Sequence, residues 1–210
     1  MRANVIIYLM NKKDGIIFQF IFSAVIPIIL FLAFWWGSVD HVAEHNIFKY
    51  ALLGFLLGIA INQIFFTKYI KNCYQIPTAV LIFVYLFYSV CIFGFFMGVP
   101  IFNLVLGPLA GLYIAKKITN TKFDKLSITK IISSTTIFVT ITMILICVAS
   151  GYIALVDPYT ASNLKGMFGL SFYPSQTFLI MLIVIGGLAL VLFEYFSTKA
   201  VMKFYLKKHQ

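Results

Sequence analysis

Asp40-His41-Val42-Ala43-Glu44-His45 brings two of the chain's three histidines and two of its six acids together. On a helix, His41 and His45 fall one turn apart on one face, where two neutral imidazoles can chelate a divalent metal. His-x-x-Glu-His also matches the inverzincin pattern, in which the histidines hold zinc and the glutamate activates water. Asp157 is the other acid placed to complete such a site. No soluble catalytic domain surrounds the segment. A solvated loop is therefore the leading reading, a site for zinc or another divalent metal at His41, Glu44 and His45 comes second, and a protease comes last.

A second group of polar residues lies inside apolar runs: Gln19, Asn62, Gln63, the hydroxyl run Ser133 to Thr136, and Glu194. Alternating spans bring them to one depth near one membrane boundary, where they outline a polar ligand cavity. Glu194 is the one carboxylate inside a hydrophobic run, and such residues mark functional sites by default. The competing reading is ordinary boundary polarity: Glu194 pairs with Lys130 or Lys199, and the hydroxyls of Ser133, Thr136 and their neighbours bond back to carbonyls one turn earlier. Asn103 stands near the start of the fourth run, where it can cap a helix and present its amino end to a ligand.

These residues are positioned by the membrane. The chain has 210 residues, 62% of them hydrophobic, 18% aromatic and only 10% charged, too apolar for a water-soluble domain. Apolar runs at about Ile16–Trp36, Ile47–Phe66, Pro77–Gly98, Ile101–Ala115, Ile131–Val156 and Pro174–Phe196 predict six transmembrane helices in one compact all-α bundle. Short alternating segments of a barrel are absent. The first run is too long for a signal-peptide core and lacks a small-x-small cleavage site, so it counts as a span.

The fourth run, Ile101–Ala115, covers about 22 Å at helical rise, short of a hydrocarbon core of about 30 Å. A helix continuing past Lys116 and Lys117 is the favoured resolution; a break at Gly107-Pro108 and a non-helical dip over Gly98–Asn103 are the alternatives. Pro27 predicts a kink in the first span, and Pro77 and Pro174 mark helix starts. Val5–Met10 suits an amphipathic lead-in, and residues 197–210 suit a basic extension of the last helix. Gly54-xxx-Gly58, Gly94-xxx-Gly98 and Gly107-xxx-Gly111 predict close packing of helices two, three and four.

Fourteen of the sixteen basic residues fall on one side of these runs with three of the six acids; Lys49 and Lys165 lie on the other. By the positive-inside rule both termini face the cytosol, in a cytoplasmic (inner) membrane. The lysines border spans, so they signal topology, and no nucleic-acid partner is expected. Cys73, Cys91 and Cys147 form no CxxC pair. No Walker loop, Gly-x-Ser-x-Gly elbow or dinucleotide fingerprint occurs.

The leading functional expectation is an inner-membrane protein that binds or passes a neutral or lipophilic small molecule, alone or as a transporter subunit, without a cofactor. The second is an assembly protein joined to a membrane partner or to its own copies through glycine faces. An outer-surface metal protein or enzyme is third. In size, topology and the Gly107-Pro108 of its short span, the chain loosely resembles the vitamin-binding membrane subunits of energy-coupling-factor transporters. It carries no motif diagnostic of them.

Overall fold

The computed structural model describes residues 2–65, 74, 76–121 and 124–209, with side chains from Ile16 onward and without that of Phe65. Lys68, Tyr69, Lys71, Cys73 and Lys122 lie outside the described residues. Among those described, the structure is all helical. α1 is Arg2–Ser38, α2 Glu44–Phe65, α3 Thr78–Phe95, a 3-10 segment Pro100–Val105, α4 Leu106–Asn120, α5 Lys125–Val156, α6 Thr160–Phe168 and α7 Gln176–His209. Six stretches are long and apolar enough to cross a membrane: Ile16–Ser38, Glu44–Ile64, Thr78–Phe95, Pro100–Asn120, Lys125–Val156 and Gln176–His209.

Burial is inverted relative to a soluble protein. Phe20, Leu56, Ile64 and Leu188 stand exposed, whereas Glu194, Thr136 and Thr198 are among the largest fully buried side chains. Lipid solvates apolar side chains as well as a core does, so hydrophobicity does not drive helices together there; small contacts and hydrogen bonds do.

The chain divides into two compact units, residues 1–84 and 85–210. In the first, α1 and α2 form a hairpin. Ala51, Gly54, Gly58 and Asn62 recur every three or four residues as a buried stripe on α2. A Cβ added at Gly54 would come 2.5 Å from the Leu30 carbonyl oxygen, and one at Gly58 2.5 Å from Pro27 Cα. The backbones therefore meet through the glycines. Pro27 lies inside α1 and has no N–H for the carbonyl of Ser23, four residues earlier. Asn62 Nδ2 donates to that carbonyl at 3.1 Å, repairing the defect from the neighbouring helix. Val5–Met10 is helical and continuous with α1.

In the second unit, Asn103, Gly107, Gly111 and Ala115 form a buried stripe across the 3-10 segment and α4, and Glu194, Thr198, Met202 and Leu206 form one on α7. Ala115, Ile118, Met202 and Leu206 close into an apolar cluster flanked by Ile114, Ile128, Ile131, Ile132 and Tyr205. The fourth span is longer than its apolar run: 3-10 backbone from Pro100 joins an α-helix ending at Asn120. Lys116 is accommodated by burial against the ring of Tyr205, with Nζ 5.8 Å from its centroid. Gly107-Pro108 does not interrupt α4, and Gly98–Asn103 is not an irregular dip, since it enters the 3-10 segment at Pro100.

One packing expectation is corrected. Gly94 has no described atom within 4 Å of its would-be Cβ, and Gly98 has φ +81°. Gly98 donates its N–H to the Phe93 carbonyl at 2.8 Å, so it turns the chain after α3 and does not pack a helix. The stripe of α2 packs on α1, and that of α4 on α7.

Two further helices show why local signals set the boundaries. Asp124 caps α5 by accepting from the Ser127 N–H at 3.3 Å. The loop between α5 and α7 contains α6, where Asp157 accepts from the Tyr159 N–H at 2.9 Å and Gly169, at φ +60°, ends the helix. α7 then runs unbroken from Gln176 to His209, so residues 197–209 extend the last span as the lysine spacing implied.

Candidate functional site

Glu194 sits at the centre of the buried polar group in the second unit. It is 0% exposed, as is Thr198 one turn later on α7. Both side chains occupy the notch left by Gly107. A Cβ there would overlap Glu194 Oε1, and would lie 2.5 Å from Glu194 Cδ and from Thr198 Oγ1. The Gly107 N–H, in the first turn of α4, where amides lack a partner four residues back within the helix, donates to the Glu194 carboxylate. The glycine thus contributes both the space and a donor.

α3 supplies the next contacts. Tyr85 OH donates to Glu194 Oε1 at 3.5 Å, its ring lying edge-on to Phe138 of α5 at 5.3 Å. The hydroxyls of Tyr85 and Ser89 are hydrogen-bonded. Asn103, 2% exposed, donates from Nδ2 to the Ser89 carbonyl at 2.9 Å. Asn103, Ser89, Tyr85, Glu194 and Gly107 thus form one polar group within the unit. Among the described residues, Glu194 Oε2, Thr198 Oγ1 and Asn103 Oδ1 have no hydrogen-bond partner.

The expected ligand residues separate on this geometry. Asn103 lies within the 3-10 segment and bonds α3; Val99 and Val105 hold the N-cap positions of the 3-10 segment and of α4, neither with a side-chain bond. Asn103 is therefore not a helix cap. Glu194 is held by Tyr85 and Gly107, and Lys199 Nζ bonds Tyr195 OH at 2.9 Å, so the anticipated Glu194–Lys199 pair is not formed. Thr136 is buried and bonds back to the Ile132 carbonyl at 2.8 Å, Thr140 likewise to Thr136. Ser133 is exposed. Gln19 is half-buried and accepts from Ser23 Oγ through its carbonyl; Gln63 is exposed. Asn62 serves the Pro27 defect, with Oδ1 left over.

The histidine segment does not form one helical face. His41 lies in the turn before α2, which starts at Glu44, and His41, Glu44 and His45 are all exposed. Among the described residues no three of His, Cys, Asp or Glu gather where they could hold a metal ion. Between α1 and α2, Ile28, Phe31, Leu52 and Phe55 line an open groove of about 370 Å³. It has the chemistry of a lipid contact, with no polar group to select a ligand.

Sequence reading missed Tyr85, Ser89, Thr198 and the role of Gly107. A usable signal was present: Glu194-xxx-Thr198 repeats the four-residue spacing of Gly107-xxx-Gly111, placing polar groups on one stripe and room for them on another. Comparison with protein-family models, curated proteins and solved structures finds no match.

Proposed function

We propose that this multi-pass membrane protein resides in a cytoplasmic membrane with both termini in the cytosol, and that its second unit binds a small neutral or lipophilic molecule for passage across or delivery within the bilayer. The observation that carries the reading is the buried polar group from Asn103 to Glu194. A helix pair needing only stability is served by small apolar contacts, since buried ionisable groups cost free energy in lipid and are retained where they act. The orientation is supported by the fourteen basic residues that six spans assign to one side. Deprived of basic residues at this polar group, the region suits an uncharged ligand with hydrogen-bond donors.

Native mass spectrometry after gentle detergent extraction tests the reading. Wild type is expected to retain a small molecule that Glu194→Gln loses. Retention of a second protein, with no small molecule, would favour an assembly role. For the orientation, cysteines placed at His45 and Thr119 should be labelled by a membrane-impermeant reagent from opposite faces.

A further inference from the structure

Among the described residues, three buried oxygen atoms in the second unit lack a hydrogen-bond partner, and one of them belongs to a carboxylate. Thr198 Oγ1 shares the Gly107 notch with Glu194, and Asn103 lies one turn before Gly107 on the same stripe. Tyr85 of α3 is the titratable side chain that reaches Glu194; α4 presents the Gly107 amide, and α5 meets Tyr85 through the ring of Phe138. Lys199 is engaged by Tyr195.

An ionised carboxylate without a countercharge is costly in such surroundings, whereas a bound cation or proton cancels the cost. Oxygen donors alone, without nitrogen or sulfur, suit hard cations. The notch is tight, because a Cβ at Gly107 would meet both side chains. We propose that Glu194 and Thr198, with Asn103 alongside, bind a small monovalent cation, a proton or a sodium ion, within the membrane. The inference rests on reading this region as a binding site and assigns to it a coupling ion beside the organic ligand. As a proton, the occupant forms an O–H bond at Glu194 Oε2, with Thr198 Oγ1 the neighbouring oxygen in the Gly107 notch. As sodium, it takes the same two oxygens as ligands.

The test is labelling of Glu194 by dicyclohexylcarbodiimide, which modifies protonated carboxyl groups in apolar sites, read by mapped mass spectrometry on the full chain in lipid nanodiscs. Protection by sodium chloride, relative to N-methylglucamine chloride at equal ionic strength, identifies sodium. Labelling that falls as pH rises, indifferent to sodium, identifies the proton. In either case Thr198→Val should shift the half-effective ion concentration by about tenfold, the scale of one lost hydrogen bond, and Thr198→Ser should restore it. A Glu194 that is never labelled, or a profile that is the same in wild type and a monodisperse Thr198→Val protein, overturns the site. If wild type retains an organic molecule that Glu194→Gln loses, yet shows no ion response, the cation site alone fails. If the ion response is present and no molecule is retained, the organic ligand alone fails.

Discussion

The α1–α2 contact and the α4–α7 contact use the same device for different ends. Each has a stripe of small residues at three- or four-residue spacing with an amide at one end: Ala51, Gly54, Gly58 and Asn62 on α2, and Asn103, Gly107, Gly111 and Ala115 leading through α4. In the first, glycine admits backbone, and Asn62 serves a carbonyl that Pro27 cannot. In the second, glycine admits a carboxylate and a hydroxyl, and, among the described residues, Glu194 Oε2 and Thr198 Oγ1 remain unserved beyond the amide oxygen that each stripe leaves over. Paired glycines state that something approaches closely; whether it is backbone or a functional group depends on the facing helix.

The sharpest break between the two contacts comes from filling the notches. At Gly58 the obstruction is the Pro27 backbone, which has nowhere to go. Gly58→Leu should cost about 3 kcal/mol or more and remove the monodisperse peak in size-exclusion chromatography. At Gly107 the obstruction is the end of two side chains. Gly107→Ala should cost about 1–3 kcal/mol by thermal unfolding, and Glu194→Ala in the same chain should recover much of it. Equal, unrescued losses at both positions would erase the distinction.

A double-mutant cycle sharpens the first contact. Asn62→Leu leaves the Ser23 carbonyl without its donor and should cost about 1 kcal/mol. Pro27→Ala restores the missing N–H, so Asn62→Leu in that background should cost less, a coupling measurable by denaturation. Additive losses would mean that Asn62 acts by packing alone.

The smallest effect belongs to a cap outside both contacts. The Ser127 hydroxyl and backbone N–H hold the Asp124 carboxyl below the ordinary aspartate value of 3.8. A carboxylate with a depressed folded-state pKa adds stability that is complete above its unfolded value and is lost as pH falls through the folded one. Asp124→Ala should therefore lower the melting temperature slightly at neutral pH and make no difference below the depressed value, which melting curves at several acidities will show.

Much of the architecture was legible in the chain because lipid imposes its own length rule. Apolar runs marked all six spans, and the lysine spacing after Phe196 indicated the continuation of α7 to His209. The ends were less legible. The apolar run stopping at Ala115 did not reveal that Lys116 would be buried on Tyr205, 89 residues away in sequence. Nor did the loop between α5 and α7 announce α6, whose turn at Asp157 and stop at Gly169 are short-range signals inside a segment too short to span.

At the site, Glu194 stood out because a carboxylate in an apolar run needs a reason. Its partners did not, because Tyr85, Gly107 and Thr198 are ordinary residues for a membrane helix and become a group only through the crossing of α3, α4 and α7. Composition and periodicity thus determined the class of protein and the number of spans, since each residue answers to the bilayer independently of the others. Which glycine faces which oxygen was decided by helix pairing alone, because contact across helices depends on two stripes meeting and neither stripe encodes its partner.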